Sequence, residues 1–378
     1  MFDVIVIGVG SMGSSACYYL AKKGHKVLGL EQFDIPHERG SHAGQSRIIR
    51  KAYFEHPDYV PLLNRAYENW KELETDAQAR LYHQTGIAYF GLPGSDIIKG
   101  VKLSASLYDI PVESLQPHVI RDRYSMFKLP QGFEALFEAD AGFITPEKAV
   151  RLYKGQAIKN GAEIHTGEKV IKWKNEGRYI EVITDKNNYH CQKIIITTGA
   201  WAGKIIPGFD DKIKVTRQFM AWIKPEKESD FTPANFPCWM IADENKPGCY
   251  YGFPFLSSPE FGEPKGLKLA YHYPGKITDP NRVNRETVAG DMETLNYFLY
   301  KYLVCGFEKL SEKTCLYANS PDENFIIDKL EENVVIACGF SGHGFKFVSV
   351  VGEILADLAT KGTTDQPIGF LRASRFEN

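Results

Sequence analysis

The residues with the clearest chemical potential open the chain: Gly8-Val9-Gly10-Ser11-Met12-Gly13 has the spacing that holds a pyrophosphate. Gly8 makes the tight turn, Gly10 lets phosphate oxygens approach the backbone, and Gly13 lets a helix pack on the preceding strand. Ser11 and Met12 start that helix, whose free N–H groups and positive dipole end face the phosphates. Glu31 stands roughly 20 residues on, where an acid binds a ribose hydroxyl. The chemistry implied is dinucleotide binding, since strand, helix and acid all accompany the glycines.

Cations form the second group. Arg47 and Arg50 are three apart, a spacing that on a helical turn puts both guanidinium groups on one side. Such a pair is either a solvated basic face or a fork for a carboxylate. In Gly266-Leu-Lys-Leu-Ala-Tyr-His272, strand alternation puts Lys268, Ala270 and His272 on one face and Leu267, Leu269 and Tyr271 on the other. If the apolar face packs on a core, Lys268 and His272 face a cavity, where a lysine is costly unless paired or used. Cysteines occur at 17, 191, 238, 249, 305, 315 and 338, an odd number with no CxxC pair. That argues against a disulfide framework or a metal site, and for a reducing compartment. On sequence alone Cys315, Tyr251 and Tyr317 read as core residues.

These groups need elements to hold them. Phe2 to Ile7 is a buried-type strand running into the glycines, followed by a helix carrying Met12, Ala16 and Leu20, a stop at Gly24 and a second strand over Lys26 to Glu31. The pattern of Asp58 to Glu74 predicts an amphipathic helix burying Leu63, Trp70 and Leu73. Thr145-Pro146-Glu147 starts another helix, with Pro and an early acid in its first turn, ending near Gly161. A strand-and-turn series then returns to the buried run 194–201, and 333–339 reads as a further parallel strand before a last helix over Phe345 to Lys361. Residues 215–320 are strand-rich and aromatic. The fold class expected is α/β (α+β overall): a Rossmann-like domain over 1–85, 146–215 and 322–378, interleaved with a largely antiparallel substrate domain over 86–145 and 216–321.

With 378 residues, 43% hydrophobic and 24% charged, the chain has the composition of an ordinary globular protein. A net charge of -2 carries no signal for nucleic acid or anionic membrane. No apolar run approaches the roughly 18 residues that span a bilayer, and the start lacks the features of a signal peptide. The expectation is a cytoplasmic protein with no nucleic-acid or membrane partner.

Beyond the first strand-helix-strand unit, Arg39-Gly-Ser-His-Ala-Gly-Gln-Ser-Arg-Ile-Ile-Arg-Lys-Ala-Tyr53 is a segment that a plain NAD domain does not need. With GVGSMG, TTGAW at 197–201, YYGFP at 250–254, GLKLAYH, DENFIID at 322–328 and GFSGHGFKF at 339–347, it resembles the monomeric sarcosine oxidase family of the D-amino-acid oxidase superfamily. The resemblance runs the whole length. It implies FAD, joined through a thioether to Cys315, with Gly8, Gly10, Ser11, Met12, Gly13, Glu31, Ser41, Arg47, Val170, Gly342, Gly344 and Lys346 around it. It implies that Arg50 and Lys346 hold a substrate carboxylate, that His272, Tyr251 and Tyr317 line the pocket, and that Lys268 is where oxygen is reduced. Local positive charge would favour the Cys315 thiolate.

The activity so implied is oxidation of a secondary amino acid such as sarcosine by hydride transfer to flavin. Reoxidation by O2 yields H2O2 and an imine hydrolysed to aldehyde and amine, by a protein expected to be monomeric and to use no metal. Alternatives are a cyclic or bulkier substrate (pipecolate, N-methyltryptophan), an NAD-linked dehydrogenase, or a non-catalytic FAD-binding protein. The sequence departs from the family at Ala43, where members commonly carry histidine beside the flavin.

Overall fold

A computed structural model describes the chain except Ser258, Glu260, Tyr273, Pro274, Asn378 and the side chain of Pro117. Phe2–Ile7 lies at the centre of a parallel sheet, with Val27–Leu30 and then Glu163–His165 on one side. On the other side come the second half of Asn188–Ile196 and then Val334–Cys338, also parallel, closed by antiparallel Ile326–Glu331. The first half of Asn188–Ile196 instead carries the hairpin of Val170–Asn175 and Ile180–Thr184. A strand buried on both faces explains the near-continuous Val/Ile run at the start. Val4 and Val6 point into the core under the helices, while Ile5 and Ile7 point into the core under the hairpin.

The helices Ser11–Lys22, Pro146–Lys159, Val60–Ala77 and Val348–Lys361 pack together on the first of these faces. Val60–Ala77 buries Leu62, Leu63, Ala66, Trp70 and Leu73, after a one-turn 3-10 segment at Pro57–Tyr59 takes up the proline. Each fully buried Leu or Ile in these layers contributes about 1.5–3 kcal/mol, offset by the entropy of ordering the chain.

Among the described residues a second sheet has nine strands. Lys214–Pro225 pairs with Phe307–Asn319 on one side and with Gly266–His272 and Lys276–Ile277 on the other. Cys249–Leu256, Cys238–Ala242, Ile87–Gly91, Glu134–Glu138 and Glu113–Ser114 extend it, antiparallel throughout except where Cys238–Ala242 meets Ile87–Gly91. Between the two sheets a small one pairs Arg47–Ile49 and Tyr82–Gln84 with Gly142–Ile144. A helical turn does not hold Arg47 and Arg50: β-branched Ile48 and Ile49 find a ladder partner in Gly142–Ile144, so Arg47 lies in the strand and Arg50 directly after it.

Candidate active site

The first cleft opens at the carboxyl ends of the parallel strands, where α/β sheets hold ligands. Counting the open solvent at its mouth it spans about 1290 Å³, walled by Gly8, Gly10, Ser11 and Met12 and by Ser341, Gly342 and Gly344. A Cβ at Gly10 would meet no protein atom within 4 Å, so the backbone there lies open to the cleft. A Cβ at Gly13 would fall 2.0 Å from the Gly8 carbonyl oxygen, so this glycine serves the packing of helix on turn and does not line the cleft.

Glu31 is buried in the wall and accepts the Val9 N–H at 2.9 Å and the Phe33 N–H at 3.1 Å. Burial pushes its carboxyl up to about 7 against the pull of those N–H groups. Ser41, Arg47 and Val170 also line the cleft. Two buried polar atoms on its wall, His42 Nε2 and Thr198 Oγ1, have no partner in the protein. Open glycine backbone, an acid and unspent polar groups fit a dinucleotide in this cleft.

Arg47 does not reach across the cleft. Its guanidinium donates to the carbonyls of Ser41 (2.8 Å), Ala43 (2.5 Å) and Ser46 (2.8 Å). Ala43 thus serves this arginine with its backbone carbonyl.

A second cavity, spanning about 590 Å³ with the open solvent at its mouth, adjoins the first and shares Arg47, Tyr317, Gly342 and Phe345 with it. Arg50, Tyr251, His272, Cys315 and Lys346 line it, so the structure brings together these expected residues from four distant stretches of chain. Lys346 Nζ donates to the His343 carbonyl at 2.7 Å. Burial, then the nearby Arg50 charge, pushes Lys346 down to about 7. His272 Nδ1 lies 3.4 Å from the Tyr317 hydroxyl, and burial holds its imidazole down at about 4, hence neutral near pH 7.

Glu55, His343, Met240 and Phe253 also line the cavity, and the sequence reading missed them. Glu55 takes both of its oxygens to Arg50 Nη2, at 2.7 and 2.6 Å. Burial would raise its carboxyl, but Arg50 holds it down at about 2. His343 bonds the Tyr53 hydroxyl through Nδ1 and meets the Glu323 carbonyl at 3.0 Å through Nε2. A carbonyl can only accept, so Nε2 carries the proton and Tyr53 donates to Nδ1. Glu55 had one available signal, an acid five residues after Arg50 within an otherwise aromatic stretch.

Lys268 departs from expectation. It lines neither cavity and is fully buried, its Nζ donating to the Gly44 carbonyl at 2.6 Å and the Ser46 carbonyl at 2.7 Å, over the Phe253 ring. Strand alternation gave its face correctly, but the 43–47 segment lies between it and open space. Burial, then Arg47, depresses its affinity for a proton well below the ordinary lysine value. For Cys315 the expected thiolate is also corrected: burial pushes the thiol up, outweighing Arg47, Lys268 and Arg285.

Comparison with known proteins agrees with this geometry. The FAD dependent oxidoreductase family profile matches residues 3–358. The chain is 38% identical to monomeric sarcosine oxidase of Bacillus sp. (strain NS-129), covering 99% of this chain and 97% of that protein. It is 34% identical to N-methyl-L-tryptophan oxidase of Salmonella dublin, covering 99% of both. Among solved structures, NikD, an unusual amino acid oxidase essential for nikkomycin biosynthesis, superposes with a TM-score of 0.85 at 23% identity over 98% of this chain and 97% of that one, which establishes the shared fold.

Proposed function

Since the chain belongs to the FAD dependent oxidoreductase family and is an FAD-dependent oxidase of CH–NH bonds, we propose that it oxidises a small N-methyl amino acid such as sarcosine. The observation that carries this is the join between the cavities: four shared residues connect the cofactor cleft to a chamber lined by Arg50 and Lys346. Bound FAD supplies a two-electron acceptor for the bond next to nitrogen, and O2 takes those electrons with two protons to leave H2O2.

The protein's own part is position and charge. Arg50 and Lys346 bind the substrate carboxylate, which fixes the distance from that anchor to the reacting carbon. Neutral His272, steadied by Tyr317, receives an N–H of the unprotonated amine. Tyr251, Met240 and Phe253 limit the space and exclude water. Lys268 is the cation at which oxygen is reduced, and Cys315 is the attachment point of the flavin. Gly8 to Gly13 and Glu31 hold the pyrophosphate and ribose, with Val170 towards the adenine and Gly342 and Gly344 towards the flavin ring. The full-length likeness to monomeric bacterial sarcosine oxidases supports a monomer.

The test is an anaerobic titration of the purified yellow protein with sarcosine, followed by air. Bleaching of the visible flavin band, then recovery with release of H2O2, is the expected result. Bleaching by pipecolate or N-methyltryptophan but not by sarcosine would move the substrate to a cyclic or bulkier amine, and no bleaching by any of them would overturn the proposal.

A further inference from the structure

Glu147 stands in the first turn of the helix Pro146–Lys159, where an acid is usually accounted for by the helix dipole. Its carboxylate also reaches outside the helix. Oε1 accepts the backbone N–H of Gly44 at 2.6 Å and that of Gln45 at 3.0 Å. The same turn offers its carbonyls to Lys268, whose Nζ sits 2.6 Å from Gly44 O and 2.7 Å from Ser46 O. One short stretch of backbone therefore has a carboxylate on its N–H side and the lysine amine on its C=O side.

Peptide groups aligned between a carboxylate acceptor and an amine donor polarise one another, which strengthens the hydrogen bonds at both ends. The turn has little freedom of its own. Gln45 is held in the left-handed region at φ +68, its side chain donating to the carbonyls of Gly262 (3.0 Å) and Pro264 (2.7 Å) and accepting from Trp222 Nε1 (2.9 Å). Arg47 takes up the carbonyls of Ser41 and Ala43 beside it. Ser46 O also accepts from Arg47 Nη1 and Gly44 O from the Ser46 N–H, both at 2.8 Å, while the grip on the N–H side of the turn is Glu147. Its own carboxyl, raised by burial, is brought below the usual range by the Gln45 and Gly44 N–H groups.

We propose that Glu147 is a positioning residue for Lys268: by holding the Gly44–Ser46 turn it sets where the lysine ammonium sits, and so sets the rate of reaction with oxygen. This rests on the reading of Lys268 as the oxygen-reducing cation. Glu147 lines neither cavity.

The test compares Glu147→Ala, Glu147→Gln and Lys268→Met in the FAD-loaded protein, timing reduction by substrate without air separately from reoxidation by O2. Glu147→Ala, which loosens the turn but leaves Lys268 in place, is expected to slow reoxidation by about tenfold, below the roughly 10²–10³ of losing a direct transition-state contact, and to change reduction by less than about twofold. Glu147→Gln keeps an oxygen able to accept both N–H groups and is expected to restore most of the rate. In the flavin-free protein, deuterium uptake over residues 41–47 should rise in the Ala variant and not in the Gln variant.

Reoxidation unchanged in Glu147→Ala while Lys268→Met is slow would overturn the proposal, as would equal slowing of both half-reactions or a Gln variant as slow as the Ala one. Reoxidation unchanged in Lys268→Met would instead remove the underlying reading of the lysine.

Discussion

The guanidinium of Arg50 is already occupied: its Nη2 bridges both oxygens of Glu55, at 2.7 and 2.6 Å, inside the cavity where a substrate carboxylate is expected to bind. An incoming carboxylate must therefore share Arg50 with Glu55 or displace it. Lys346, which faces the same space, is the second cation available.

Glu55→Ala leaves a buried guanidinium without its counter-ion and should destabilise the flavin-free protein by about 3–5 kcal/mol in denaturant unfolding. An added small carboxylate, acetate, should recover more stability in this variant than in the parent. Equal recovery in both would mean that the cavity does not present Arg50 to a carboxylate.

Lys346 gives a pH dependence with a definite sign. Its ammonium persists below about 7 and is lost above it. KM for the amino acid should rise as pH passes upward through that value, and Lys346→Met should have a high KM with a flatter profile. The same group acts on stability: between about 7 and the ordinary 10.5 the unfolded chain binds more protons at Lys346 than the fold does. This lysine therefore makes the flavin-free protein more stable as pH rises through that window. Thermal melts of parent and Lys346→Met across the window check it.

Two glycines of one motif should fail differently. Gly10→Ala meets no protein atom and should leave the melting temperature of the flavin-free protein nearly unchanged while weakening FAD binding by about tenfold, or about 1.4 kcal/mol. Gly13→Ala forces a methyl against the Gly8 carbonyl and should cost about 1–3 kcal/mol of stability in the same flavin-free protein. Identical effects of the two substitutions on folding would contradict the division of labour.

Cys315 lines the smaller cavity, two residues before Tyr317, which faces both cavities, and the proposed thioether is checked by mass. The peptide containing Cys315 from the holoprotein should carry the mass of the flavin after acid denaturation, and Cys315→Ser should release its FAD into the supernatant. An unmodified Cys315 peptide from the yellow parent protein would leave the attachment without support.

What could be read from the chain was local. The glycines, Glu31 and the strand-helix-strand order follow from spacing and periodicity within some thirty residues, and the folded arrangement agrees. Spacing and strand alternation make Arg50 and His272 candidates, but their roles, and Tyr317 and Lys346 altogether, come from resemblance, since nothing in their neighbours says that they converge. The misreadings share a cause. Arg47–Ile49 is a strand because Gly142–Ile144 pairs with it, and Lys268 is sealed off by a turn 222 to 224 residues earlier in the chain. Neither partner leaves a trace in the local pattern. Glu147 was visible as a helix-starting acid, but its second role depends on a backbone turn about a hundred positions away.

The partition between the two cavities also sorts their walls by independence. Arg47, Tyr317, Gly342 and Phe345 face both compartments, so a change in any of them alters cofactor and substrate together. Ile48, Met240 and Phe253 face the smaller compartment alone. Those three positions are where the amine accepted by this protein can drift, by selection or by design, while the machinery that holds the flavin stays the same.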